Sequence, residues 1–137
     1  MKKKTLRIRS FRSCLIAVLS VLGLHSACGQ GNFENADVNG FAELVADTNV
    51  VVLDVRTASE FAEGHLERAI NIDYHQNDFL EKAKATLPHG KKIAVYCRSG
   101  RRSSGAATKL SEDGYKLVNL KGGIAAWKEA DMPVMTK

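Results

Sequence analysis

Residues 92–110 read KIAVYCRSGRRSSGAATKL, and this stretch decides the fold class. Lys92 to Tyr96 is a short, mostly apolar run that fits a strand buried on both faces, the pattern of a parallel sheet. It delivers Cys97 at its carboxyl end. Arg98, Ser99, Gly100, Arg101 and Arg102 then make a short loop, and Ser103 opens a helix expected to run to Leu110.

The same alternation extends in both directions. Val50 to Leu53 is a second buried run (VVVL) closed by Asp54, and Ala69 to Ile72 and Lys116 to Leu120 supply two more strands. Between them, Asp37 or Asn39 can cap a helix whose apolar positions are Phe41, Leu44 and Val45. Ser59 to Glu63 makes a helix stopped by Gly64, Asp78 to Leu87 one ended by Pro88, and Ile124 to Glu129 the last. The expected fold is α/β, a central parallel sheet with helices on both faces, over residues 36–137. Right-handed crossovers then place Asp54 and Cys97 at one rim, beyond the carboxyl ends of the strands where such folds bind ligands.

The chain of 137 residues carries a formal charge of +5, unevenly spread. Six of its twenty Lys and Arg residues precede Cys14 and no acidic residue precedes Glu34, so from Cys28 onward 14 basic residues face 15 acidic ones. The excess describes a leader, which excludes a basic nucleic-acid-binding surface, and the length excludes a multidomain machine. Cys14 to Leu24 is an apolar run of eleven residues, against roughly 18 or more for a spanning helix. With its basic start and small residues at Ser26, Ala27 and Gly29 it reads as a signal peptide, residues 1–27.

The run ends in LHSAC, which resembles the lipobox of bacterial lipoproteins and implies cleavage before Cys28 and lipidation of its thiol. His25 stands where that motif usually has an aliphatic residue, which leaves simple secretion as the alternative. Residues 28–35 read as a flexible tether. The expected location is extracytoplasmic: a lipid-anchored monomer facing the periplasm, on the outer membrane as Gly29 after the cysteine implies by resemblance, or else soluble in the periplasm.

With Cys14 removed and Cys28 acylated, Cys97 is the one thiol left in the mature domain, so no internal disulfide is expected. Zinc is not expected either, since His65, His75 and His89 form no close ligand pair with it, and no cofactor is called for. Around Cys97 the sequence builds an anion cradle. Gly100 permits a turn with positive φ, successive amides can point at one ligand, and a helix N-terminus and three arginines add positive potential. Each favours thiolate over thiol.

The motif CRSGRRS (97–103) resembles the active-site loop of rhodanese-like sulfurtransferases. VVLDVRTASEFAEGHLERAINI (51–72) and NLKGGIAAWKEADMPV (119–134) resemble that family's two flanking signatures. The resemblance covers about Phe33 to Val134. It implies that Cys97 accepts a sulfane sulfur from a small anionic donor such as thiosulfate, becomes a persulfide, and passes the outer sulfur to cyanide or a thiol. It further implies that Arg98, Ser99, Gly100, Arg101, Arg102 and Ser103 bind the substrate and cradle the persulfide, with Arg98 or Arg102 attracting the donor. The kinetics should be ping-pong, and no general base is assigned.

Other residues admit blander roles. Asp54 and Arg56 either support the Cys97 loop through a bidentate pair, as the resemblance implies, or serve as a helix cap and an ion pair. His65 is expected to hydrogen-bond a turn, Trp127 to pack on the sheet, and Gly122 and Gly123 to bring backbone toward the site. Two other functions compete. Cysteine-based phosphatases place an arginine six positions after the cysteine, where this chain has Ser103, so phosphoryl or arsenate chemistry is disfavoured. The other rival is a non-enzymatic sulfur carrier or partner-binding module in extracytoplasmic redox metabolism.

Overall fold

The computed structural model describes residues 32–136. The expected signal peptide, Cys28 and the first part of the expected tether lie outside them. Five strands, β1 (Glu34–Ala36), β2 (Val51–Asp54), β3 (Ile70–Asn71), β4 (Lys92–Tyr96) and β5 (Lys116–Leu120), form one sheet in the order β1-β5-β4-β2-β3. Every pairing is parallel. Five helices connect them: α1 (Val38–Ala46), α2 (Ala58–Glu63), α3 (Phe79–Thr86), α4 (Arg101–Glu112) and α5 (Gly123–Glu129).

Alternation along the strands splits the core into two layers, because successive side chains point to opposite faces. Leu53 and Val55 beside β2 and Ile93, Val95 and Cys97 along β4 pack with Phe79 and Ala83 of α3 and Ala106, Ala107 and Leu110 of α4. Val50 and Val52, with Ala94 and Tyr96, pack on the other face with Phe41 of α1 and Ile124 and Trp127 of α5. Helices therefore cover both faces, as expected. Trp127 is buried and meets Phe41 edge to face, with ring centroids 6.2 Å apart.

The connection after β2 leads outward to β3 and the one after β4 leads the other way to β5, so the order reverses between β2 and β4. Such a reversal opens a crevice at the carboxyl ends of the strands. Asp54 pairs in register with Tyr96, and the Val55 amide bonds the Tyr96 carbonyl at 3.1 Å. Asp54 and Cys97 accordingly share one rim.

Three expectations need correction. The tether assigned to 28–35 ends sooner, because Glu34–Ala36 pairs with Val118–Leu120 as an edge strand. Its three residues carry no apolar run that would announce it. Helix α4 begins at Arg101 rather than Ser103, since Gly100 takes up the turn with φ 97° and puts Arg101 and Arg102 into the first helical turn. The cap of α2 is neither Asp54 nor Arg56 but Thr57, in a capping box with Glu60.

Candidate active site

The sulfur of Cys97 is almost wholly enclosed, with the residue 1% exposed. The Gly100 amide donates to Sγ at 3.1 Å and the Ser103 hydroxyl at 3.3 Å. Two influences on the thiol oppose each other. Burial, the largest single one, pushes its pKa up, while the Ser103 hydroxyl and the amides of Ser103, Ser99 and Gly100 pull it down. The donors together win, and Cys97 titrates below an ordinary thiol. A buried acceptor ringed by donors is a site built for a negative sulfur.

Two carbonyls of the loop are themselves bound. They are held by the start of α5, where the Ile124 amide bonds the Cys97 carbonyl at 2.9 Å and the Ala125 amide bonds the Arg98 carbonyl at 3.1 Å. Gly122 and Gly123, with φ of 77° and 61°, make the turn that brings them there. A Cβ on Gly123 would overlap the Cys97 and Arg98 carbonyls, so that position admits only glycine. The expected approach of the Gly122–Gly123 backbone to the site thus sets up the two hydrogen bonds that Ile124 and Ala125 donate to the loop.

The three arginines separate. Arg102 makes a bidentate pair with Glu60, at 2.8 and 2.9 Å, tying the start of α4 to α2. Hydrogen bonding to Arg102 holds the Glu60 carboxyl down at about 2. Arg101 is exposed on the first turn of α4. Arg98 is exposed and lines a cleft of about 330 Å³ with Arg56, Glu60, Glu63, Ile124, Ala125 and Lys128. Of the two arginines expected to attract a donor, Arg102 is committed to a carboxylate and Arg98 faces the cleft. Ser99 is exposed, whereas Gly100 and Ser103 are buried against the sulfur.

Asp54 and Arg56 bind each other. The carboxylate is fully buried and accepts from Arg56 Nη2 at 2.6 Å, from Nε at 3.0 and 3.1 Å, and from the Arg56 amide at 2.9 Å. Nη2 also donates to the Gly64 carbonyl at 2.6 Å. The pair braces the turn between β2 and α2 and stands over the Tyr96 ring, one residue before Cys97. His65 bonds the Phe61 carbonyl through Nδ1 at 2.9 Å, the structural role expected of it, and its backbone bridges to Met135.

Two contributors escaped the sequence reading. Glu60 was announced by the spacing Thr57-x-x-Glu60, a capping box signature. Asn119 was visible only as one polar residue in the strand KLVNL. It is 3% exposed, and its Nδ2 donates to Ser104 Oγ at 3.0 Å and to Asn35 Oδ1 at 3.0 Å, joining β1 and β5 to the start of α4.

Residues 37–130 match the family described as Rhodanese-like domain. A protein named sulfurtransferase from Allochromatium vinosum is 33% identical over 101 residues, covering 72% of this chain and 92% of its own. Thiosulfate sulfurtransferase 18 of Arabidopsis thaliana is 41% identical over 97 residues, or 62% of this chain and 71% of that protein. Among solved structures, a rhodanese-related protein from Thermoplasma volcanium superposes with a TM-score of 0.69 at 33% identity, covering 77% of this chain and 100% of that one.

Proposed function

The chain belongs to the rhodanese-like domain family, and from that premise we propose that it is a sulfurtransferase moving a sulfane sulfur from thiosulfate, or a related donor, through a Cys97 persulfide to cyanide or a thiol. The observation that carries the reading is the Cys97 sulfur, buried and held by the Gly100 amide and the Ser103 hydroxyl with its pKa lowered.

In the first half-reaction the thiolate attacks the outer sulfur of thiosulfate. A new S–S bond forms on Cys97, the donor's own S–S bond breaks, and sulfite leaves with the electron pair. In the second, cyanide attacks the outer persulfide sulfur, thiocyanate leaves, and the thiolate returns. Neither step consumes a proton, so no general base is needed. The amides of Ser99, Gly100 and Ser103 carry the negative sulfur between the two steps.

Incubation with thiosulfate should add one sulfur to the intact mass, removable by cyanide as thiocyanate, and Cys97→Ser should abolish both while keeping the fold. An unchanged mass in the parent sinks the reading; sulfur uptake without turnover would favour the carrier. We further propose that residues 1–27 are removed, that Cys28 is lipidated, and that the domain faces the periplasm from the outer membrane. Membrane partitioning that persists in Cys28→Ser with the leader still cleaved would overturn the anchor.

A further inference from the structure

The cleft beside the cysteine loop has one wall on α2, with Glu60 and Glu63, and another on α5, with Ile124, Ala125 and Lys128; Arg98 belongs to the loop itself. Five of its lining residues are charged. Arg56 is spent on Asp54 and Glu60 on Arg102. Among the described residues Arg98, Lys128 and Glu63 make no ion pair, so two cations and one carboxylate remain to meet a solute.

The backbone that carries Lys128 is held against the cysteine loop although Lys128 lies thirty-one positions after Cys97. It follows Ile124 by four residues and Ala125 by three, so it shares their face of α5. Those two residues are the ones whose amides bind the Cys97 and Arg98 carbonyls. The Lys128 amine also reaches toward the opposite wall, standing 4.0 Å from where a Cβ on Gly64 would lie. Lysine near a helix C-terminus is also favoured by the helix dipole alone. That effect has no bearing on which donor is taken.

We infer that Lys128, outside the cysteine loop, is the second cation of the donor site, acting with Arg98 to select dianionic donors of the thiosulfate class over monoanionic ones. The inference rests on the sulfurtransferase reading above. Each cation attracts a dianion with about twice the energy it gives a monoanion, so the second cation favours the dianion, with Glu63 in the α2 wall offsetting part of the gain for both.

Ping-pong kinetics isolate the donor step, since kcat/KM for each substrate reports its own half-reaction. The comparison is between the parent, Lys128→Gln and Lys128→Arg, each with thiosulfate and with benzenethiosulfonate, a monoanionic donor, at several salt concentrations. Lys128→Gln should lower kcat/KM for thiosulfate about tenfold and for the thiosulfonate about threefold or less. It should leave kcat/KM for cyanide unchanged and flatten the salt dependence with thiosulfate, and Lys128→Arg should restore most of the loss. Equal values for thiosulfate in the parent and Lys128→Gln, or equal losses with both donors, overturn the inference and leave the sulfurtransferase reading standing. A parent that takes no sulfur from thiosulfate overturns both.

Discussion

Two neighbouring strand-to-helix junctions, β2–α2 and β4–α4, leave the same rim of the sheet and do opposite things with their polar groups. The first satisfies itself. Asp54 and Arg56 bind each other, Thr57 accepts from the Glu60 amide, and Glu60 accepts from the Thr57 amide. The second has Gly100 at its cap position and makes no side-chain cap bond among the described residues. Its amides turn instead to the Cys97 sulfur. A helix start leaves about four amides without partners. In the first junction side chains fill that deficit; in the second the glycine cap leaves amides free to turn to the sulfur.

Damage to the first junction should cost stability and damage to the second should change chemistry. The largest effect is expected from Asp54→Ala, which strands the Arg56 guanidinium in the core. Removing one member of a buried pair costs about 3–5 kcal/mol, to be read as a lowered midpoint in urea unfolding. A change below about 1 kcal/mol would show that the pair is not what braces the turn.

Ser103→Ala tests the other junction. Losing a hydrogen bond from the Ser103 hydroxyl to the sulfur should raise the Cys97 pKa. The rate of alkylation by iodoacetamide climbs with pH and levels off above the thiol pKa, so the midpoint of that profile should move up by the same amount. The unfolding midpoint should move little. An unshifted alkylation profile would mean that the backbone amides alone set the thiolate.

The smallest effect belongs to Glu60→Gln, at the contact between the two junctions. The Glu60 carboxyl is held at about 2 in the fold, against an ordinary 4.5. A depressed folded pKa contributes stability that is present above the unfolded value and lost as pH falls toward the folded one. Glu60→Gln should therefore cost about 1 kcal/mol at neutral pH and nearly nothing near pH 2. A penalty that does not shrink on acidification would assign the loss to packing and not to the Arg102 pair.

Much of this was legible in one dimension. Apolar runs ending in Asp54 and Cys97 marked the two central strands, the loop glycine marked the open turn, and the spacing to Ser103 separated the loop from a phosphatase's. Boundaries were less so. Helix α4 starts two residues early because the conformation of Gly100, not the helical composition of Ser103 to Leu110, determines where helical geometry begins. β1 was missed because an edge strand of three residues needs one partner and no hydrophobic run.

Local sequence by itself determined the parallel α/β architecture and the cysteine at the end of β4 with its glycine-bearing, arginine-rich loop, because strand burial and turn chemistry are written within a few residues. Which arginine stays available, what holds the loop carbonyls, and which lysine stands across the cleft were decided only by the tertiary structure. Arg102 is matched by Glu60, forty-two residues away, while Arg98 makes no ion pair among the described residues and faces Lys128 across the cleft. Charge partners meet through the crossover of the chain, and sequence spacing carries no record of which partner is reached first.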